Sequence, residues 1–190
     1  MRLRSRLMPR KLAADERGTT AIEFAMVIGP FLFLLFGIIS TGFYFFIVFS
    51  LEHAVESAAR VIRTGQAQSQ KPNAMTVSEF KSLICAKLPP FMDCTSGTNK
   101  IRVNVQSFAG YAAIAPPACV DGGGALIPAA NQVFNPGGAS VPVLVSVCYE
   151  WEMSQAFLNV PYWISPAKSK MTNGSTLIQA STAFTTEPYN

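Results

Sequence analysis

Apolar residues dominate one continuous stretch near the start of the chain. From Phe24 to Leu51 there is no Asp, Glu, Lys, Arg or His. As a helix rising about 1.5 Å per residue, this run is longer than the roughly 30 Å of hydrocarbon in a bilayer. A buried core helix can be equally apolar, but one of this length would be unusual in a small protein. The run therefore predicts a membrane-spanning helix.

The helical pattern continues beyond the apolar run. Apolar residues recur there at three- and four-residue steps and charged residues fall on other faces. The apolar set is Leu51, Ala54, Val55, Ala58, Ala59 and Ile62, and the charged set is Glu52, Glu56, Arg60 and Arg63. We expect one helix from about Thr20 to Thr64, amphipathic in its second half and ended by Gly65. This continuity disfavours a cleaved secretory signal, for which the apolar run is also too long. Gly29 and Pro30 predict a kink, because proline removes a backbone donor and clashes with the preceding turn.

Shorter elements follow the long helix. A helix is predicted over residues 77–88, opened by a capping box between Thr76 and Glu79. Three strands are predicted within "KIRVNVQSF", "VPVLVSVCYEW" and "STLIQASTAFTT", the first of them half-buried. Alternate valines of the second strand need a helix face to cover them, and the amphipathic half of the long helix is the obvious partner. The fold class is therefore α+β, with a membrane-spanning N-terminal helix whose second half packs on a small antiparallel sheet.

The four cysteines indicate how a long loop is held. Residues Ala109 to Ser140 contain four prolines and six glycines without a sustained period, and a loop of this length needs tethering. The cysteine count allows three disulfide pairings. We expect Cys85 to pair with the nearby Cys94, and Cys119 of the loop to pair with Cys148 of the second strand. With no CxxC motif and a single histidine, a zinc site is not indicated.

The net charge of +4 belongs to the N-terminal arm. Residues 1–18 contain six basic and two acidic residues, whereas residues 19–190 contain nine of each. By the positive-inside rule the arm is cytoplasmic, and the chain after the span lies across the membrane, where disulfides persist. A basic arm that abuts a membrane span needs no nucleic-acid partner, and none is expected. We divide the chain into a basic leader (1–18), a transmembrane helix (19–51) and a periplasmic or extracellular α+β domain (52–190).

Signals of an enzyme are nearly absent. The chain has no GxSxG, P-loop, HExxH or glycine-rich nucleotide fingerprint. Glu150 and Glu152 flank Trp151 on a strand and share a face at about 7 Å. Nothing in the sequence indicates a cleft around this pair, so an exposed strand edge is the favoured interpretation. No catalytic residue, metal or cofactor is expected.

One carboxylate interrupts the apolar helix. Glu23 would cost roughly 2.5–3.5 kcal/mol at the centre of a bilayer, although near the cytoplasmic boundary it reaches water. This part of the chain consists of a basic arm, Gly18, the pair Glu23 and Phe24, and then an apolar helix. It resembles the class III signal of type IV pilins and pseudopilins. The resemblance implies that a prepilin peptidase cuts between Gly18 and Thr19. The new ammonium of Thr19 can then pair with Glu23 of its own or a neighbouring helix during assembly.

Longer segments are similar to one family in particular. "RGTTAIEFAMVIGPFLFLLFGII", "AVESAARVIRTGQ" and "AFTTEPY" are similar to the corresponding segments of TadE-like proteins of the tight adherence (Tad, or Flp) pilus system. This resemblance implies a pilin-like fold and a minor pilin or pseudopilin needed for pilus assembly or initiation. It implies a single pass through the bacterial inner membrane, and as partners a prepilin peptidase, a TadF-like pseudopilin, the major Flp pilin and the inner-membrane platform.

Two alternatives belong to other functional classes. The first is an uncleaved, membrane-anchored periplasmic binding or scaffold module of a secretion system, which would keep its leader. The second is a membrane-tethered hydrolase, which would need a convergent polar pocket that the sequence does not indicate. The mature N-terminus distinguishes the pseudopilin from the scaffold module.

Overall fold

A long helix begins the described part of the chain. The computed structural model describes residues 19–69, 74–94, 100–152 and 171–188. Helix α1 spans Thr19–Arg63, within one residue of the helix predicted from the sequence. Gly65 follows it with a φ of 76°, a left-handed conformation that commonly ends helices and that glycine adopts without steric cost.

The chain divides into two units, Met1–Gly42 and Phe43–Asn190. In the first unit the described residues are the N-terminal part of α1, which is helical through Pro30. The predicted kink at Gly29 and Pro30 stays a prediction. The second unit contains the remainder of α1 and all later elements.

Two short helices follow α1. They are α2, Gln66–Ser69, and α3, Val77–Cys85. The predicted capping box opens α3: the Glu79 amide donates to Thr76 Oγ1 at 3.3 Å, and the Thr76 amide donates to Glu79 Oε2 at 2.7 Å. The hydrogen bond from the Thr76 backbone holds the pKa of Glu79 below its usual value. The predicted end at residue 88 was wrong, because the chain tightens after Cys85 into three-residue turns that lead into two prolines.

Three antiparallel strands form one sheet. They are β1, Ile101–Ser107, β2, Pro142–Trp151, and β3, Thr176–Thr185. β2 lies in the middle, with Val145 opposite Val105 on β1 and opposite Thr182 on β3. All three strands fall within the segments predicted from the alternation of apolar and polar residues.

The core lies between the second half of α1 and one face of the sheet. The helix contributes Ile47, Leu51, Ala54, Val55, Ala58, Ala59 and Ile62, and the sheet contributes Val103, Val105, Val143, Val145 and Val147. None of these side chains is more than 4% exposed. Burial of this apolar surface is the main stabilising contribution to such a layer. The expected packing of the amphipathic helix on the valine face is confirmed, and the class is α+β.

The opposite face of β1 is covered by the long loop. Arg102 and Asn104 are buried, so the prediction of a half-buried strand was wrong. The loop runs beside β1: the Val105 amide donates to the Val133 carbonyl at 2.8 Å, and the Asn135 amide donates to the Val105 carbonyl at 2.8 Å. The Val133 amide donates to the Asn104 side-chain oxygen at 3.0 Å. These bonds explain how a segment rich in glycine and proline has a fixed path.

Two disulfides hold the loops of the second unit. Cys85 is joined to Cys94, with 5.6 Å between the Cα atoms, and Cys119 to Cys148, with 5.7 Å. These are the pairings expected from the sequence. The second bond ties the long loop to the face of β2 that points away from α1.

The C-terminal residues after β3 return to α1. Thr186 is buried; its amide donates to the Val141 carbonyl at 3.1 Å, and its hydroxyl donates to the Gly138 carbonyl at 2.7 Å. The Glu187 amide donates to the Arg63 carbonyl at 2.8 Å, and the two side chains form an exposed ion pair at 3.6 Å. The tail therefore satisfies a carbonyl at the end of α1.

Deleting Glu187 to Asn190 should lower the free energy of unfolding of the second unit by about 1–2 kcal/mol. The deletion removes one backbone hydrogen bond to Arg63, and the exposed ion pair adds little. Urea unfolding and limited proteolysis of the full-length chain in detergent measure the effect. Glu187→Gln is the matched control, since it keeps the backbone bond and should cost less. Unchanged stability after the deletion would mean that the tail does not support the fold.

Candidate assembly site on the N-terminal helix

The first unit presents an apolar surface. Large apolar side chains are exposed along α1, among them Ile22, Phe24, Met26, Val27 and Phe31. By length and composition, Thr20–Arg63 is long and apolar enough to cross a membrane, and its most apolar window has no buried residue. Exposure of so much apolar area to water is costly, at about 25 cal/mol per Å². This helix is a candidate membrane anchor.

Glu23 lies on this apolar surface. It is exposed and is the one charged residue between Thr19 and Leu51 in the sequence. It lies one helical turn after Thr19, a spacing that puts the two positions on the same face of α1. Phe24, beside it, is 66% exposed. The carboxylate and the aromatic ring are therefore both presented on the surface of α1.

The structure does not test the predicted processing site. Gly18 lies outside the described residues, and Thr19 is described by its helical backbone. Glu23 and Phe24 are placed at the start of α1. Cleavage of the bond between Gly18 and Thr19 therefore stays a prediction.

Three glycines of α1 lie in open space. A Cβ atom added at Gly29, Gly37 or Gly42 would meet no atom within 4 Å. Packing within this chain therefore does not require glycine at these positions. Small residues on membrane helices allow close approach of a second backbone, so the glycines are compatible with helix-to-helix packing between subunits.

An aromatic cluster surrounds the start of α1 in the second unit. The ring centroids of Phe43 and Phe91 lie 5.5 Å apart, those of Phe43 and Trp151 6.0 Å apart, and those of Tyr44 and Trp151 6.3 Å apart. Aromatic pairs at such distances add to the stability gained by burial. The cluster joins this turn of α1 to the end of β2.

Charged side chains near the aromatic cluster are paired. Lys100 Nζ lies 2.9 Å from Glu152 Oε2 and 3.7 Å from Asp93 Oδ2. The hydrogen bond with Glu152, more than the nearby charges, raises the pKa of Lys100. Burial raises the pKa of Tyr149 to about 12. Near neutral pH Lys100 is therefore charged and Tyr149 is neutral.

The described residues contain no group of three or more His, Cys, Asp or Glu that could hold a metal ion. Glu150 and Glu152, the pair considered for acid–base chemistry, have separate partners. Glu150 accepts hydrogen bonds from Asn173 and from Ser175, whereas Glu152 pairs with Lys100. Among the described residues, the two carboxylates therefore have different partners and do not converge on one cleft.

One surface of the second unit was not anticipated from the sequence. Beside β3 and the flank of α1 lies a hollow of about 450 Å³, lined in part by Glu56, Arg60 and Phe184. Two features of the sequence relate to this hollow, the spacing of charges on α1 and the uncharged sequence of β3. They do not predict the hollow unless β3 is known to lie at the edge of the sheet, beside α1.

The comparisons with known proteins give a match to the N-terminal part of the chain. The model of the TadE-like protein family matches residues 18–60, a segment that contains Gly18, Glu23 and most of α1. No curated protein and no solved structure matches the chain. The TadE-like family is a structural, non-enzymatic family of pilin-like proteins associated with the Tad pilus. The resemblance seen in the sequence is thereby confirmed over residues 18–60, the segment in which the chain is similar to the TadE-like family.

Proposed function

We propose that this chain is a minor pilin, or pseudopilin, needed for the assembly or initiation of a Tad pilus. A prepilin peptidase removes residues 1–18, and α1 then holds the subunit in the inner membrane until it joins an assembly. The observation that carries this proposal is Glu23 in the otherwise uncharged and exposed N-terminal part of α1, within a segment that matches the TadE-like family.

The physical role of Glu23 follows from its surroundings. A carboxylate in a medium of low dielectric constant is strongly destabilised unless a positive group pairs with it. Cleavage before Thr19 supplies such a group, because it creates a new ammonium one helical turn away. When helices pack side by side, the ammonium of a neighbouring subunit can pair with Glu23 instead. Glu23 thus favours assembly over isolated subunits.

The size of the second unit supports a minor role. Residues 43–190 carry a three-stranded sheet, two short helices and a long tethered loop outside the apolar helix. A thin filament built from almost bare helices cannot readily repeat a domain of this size. We infer that few copies are present, at initiation or at the tip, together with a TadF-like pseudopilin, the major Flp pilin and the inner-membrane platform.

The orientation follows from charge. Six basic residues lie in positions 1–18, so the leader stays in the cytoplasm, where the peptidase cut is proposed. The second unit and its two disulfides then lie in the oxidising periplasm or outside the cell.

The mature N-terminus tests the proposal against an uncleaved scaffold. Full-length protein with a C-terminal tag is purified from membranes and from sheared pili, and its intact mass and N-terminal sequence are determined. We expect Thr19 at the N-terminus in both fractions, and Met1 in a strain without the prepilin peptidase. A full-length chain in the wild-type strain would contradict processing and favour the scaffold module.

A further inference from the structure

The two edges of the sheet differ. On the outer edge of β1, the loop from Gln132 to Asn135 supplies hydrogen-bonding partners: Val105 donates to Val133 and accepts from Asn135. On the outer edge of β3, no strand pairs with it among the residues that the structure describes. Within the described part of the chain, one edge is therefore covered by the chain itself and the other is open.

The register identifies the available backbone groups of β3. The Thr186 amide donates to the Val141 carbonyl, and this pair continues the register in which Phe184 lies opposite Val143. In an antiparallel pair, successive residues direct their backbone groups alternately toward and away from the partner strand. Even-numbered residues of β3 thus bond to β2. The odd-numbered residues direct N–H and C=O groups outward, and they are Leu177, Gln179, Ser181, Ala183 and Thr185.

β3 lacks the usual protection of an edge strand. Natural edges are shortened, or carry lysine, proline or a bulge that prevents pairing with another chain. β3 is ten residues long and reads "TLIQASTAFT", with no charged residue and no proline. It pairs with β2 without a register shift from Thr176 to Thr185, so no bulge twists it away.

A groove runs between this edge and α1. Its floor is made by the α1-facing residues of β3, including Ala180, Thr182 and Phe184. Two hollows of about 450 and 290 Å³ share Glu56 and Thr182. Side chains of a strand added to β3 would enter these hollows on the side that faces α1.

Charges are ordered along the groove. Arg60 and Arg63 line the arginine end, near Phe184, together with Glu187. Because Glu187 pairs with Arg63 at 3.6 Å, Arg60 is the basic side chain that an added strand would meet there. Glu52 lines the other end, near Ala180, and Glu56 lies between them. A segment that fits would bring an acidic side chain to the arginine end and a basic side chain to the glutamate end.

We propose that the β3 edge and this groove bind an extended segment of a partner protein, which adds to the sheet as a fourth, antiparallel strand. Antiparallel pairing is the slightly more stable arrangement, and backbone hydrogen bonds with alternating side-chain pockets are a common mode of peptide recognition. In the bound segment, the side chains that face α1 are, from its N-terminus to its C-terminus, an acidic residue, small apolar residues against Val55 and Ala59, and a basic residue.

A second copy of this chain does not fit the same edge. Two β3 strands paired antiparallel by a two-fold axis would also make their α1 helices run in opposite directions. Two chains anchored by α1 in one membrane run in the same direction. This exclusion depends on the anchoring proposed above, whereas the strand site itself does not.

Hydrogen exchange followed by NMR on the full-length chain in detergent micelles tests the proposal. The probe is the peptide TETVTVTKT, designed to place its glutamate opposite Phe184 and its lysine opposite Ile178. In the free protein the outward amides of β3 should exchange quickly and the even-numbered amides slowly. Millimolar peptide should slow the outward amides by about tenfold, since each gains a hydrogen-bond acceptor, and should leave the even-numbered amides unchanged.

Two sets of variants make the test specific. Ala183→Pro removes one outward N–H without touching a bond to β2 and should weaken peptide binding by about tenfold. Ala183→Thr is its matched control and should bind as the wild type does. The double variant Glu52→Arg with Arg60→Glu should prefer TKTVTVTET over TETVTVTKT, whereas the wild type should have the opposite preference.

Several results would overturn the proposal. These are equal protection of odd- and even-numbered amides, no protection by either peptide, or a charge preference that the double variant does not reverse. Stronger protection by the peptide TLIQASTAFT, or protection that grows with protein concentration alone, would identify a second copy as the occupant. None of these measurements depends on cleavage at Gly18, so failure of this site leaves the minor-pilin proposal standing.

Discussion

Gly18→Leu should leave the chain at full length in the membrane. A peptidase that cuts after a glycine needs close access to the backbone, and any side chain at that position obstructs it. The uncut chain keeps its basic arm, so insertion should be unaffected. An immunoblot of membranes should show one band that migrates more slowly than the processed wild type.

The role of Glu23 in assembly should be separable from cleavage of the leader. Glu23→Val should still be cut, at least in part, and should insert into the membrane more favourably because a carboxylate is gone. It should nevertheless fail in assembly, since the ammonium of Thr19 has lost its partner. Glu23→Gln should fail less completely, because an amide keeps hydrogen bonding without the charge.

The two readouts are an immunoblot for processing and a count of pili for each variant. Phe24→Leu, which keeps an apolar residue beside the carboxylate, is the control and should retain most pili. Normal maturation of Gly18→Leu, or normal piliation of Glu23→Val, would contradict the pseudopilin mechanism.

The second large effect concerns the disulfide of the long loop. The double variant Cys119→Ala with Cys148→Ala should lose about 3.6 kcal/mol of stability. In the chain-entropy model this follows from a sequence separation of 29 residues. Urea unfolding of the full-length chain, followed by tryptophan fluorescence, to which the buried Trp151 contributes, measures the loss. Amides of Val133 and Asn135, which bond to β1, should also exchange faster.

The other disulfide provides the comparison. Cys85 and Cys94 are separated by nine residues, so their replacement by alanine should cost about 2.7 kcal/mol and leave exchange at Val133 unchanged. Peptide mapping of non-reduced wild-type protein should show both links. A link from Cys85 to Cys119 or Cys148, or equal effects of the two double variants on Val133, would contradict the tethered loop.

The elements that could be predicted from the sequence are those that a local pattern determines. The charge-free run, the three- and four-residue steps after it and Gly65 defined α1 to within one residue, because helix periodicity and its termination are local properties. The alternating valines located β2 for the same reason. The sequence signal around Glu23 led to the TadE-like family, since that segment is the part of the chain that the family matches.

The remaining features depend on contacts distant in sequence. Burial of Asn104 results from its bond to the backbone of Val133, and no local pattern indicates which loop covers a strand. Likewise, β3 is an edge because of the order in which the strands pair. The groove beside Arg60 therefore could not be predicted, although its charged residues were visible on α1.

The shared helix explains why the apolar run is longer than a bilayer needs. The second unit begins at Phe43, and Ile47 and Leu51 are fully buried in its core. The residues from Thr19 to Gly42 measure about 36 Å as a helix, enough for one crossing of the hydrocarbon layer. One side of the last apolar turns therefore serves protein folding, whereas Phe45, Phe46 and Phe49 stay exposed. A soluble fragment that started at residue 52, where the hydropathy changes, would lack part of its own core, whereas one that started at Phe43 would keep it.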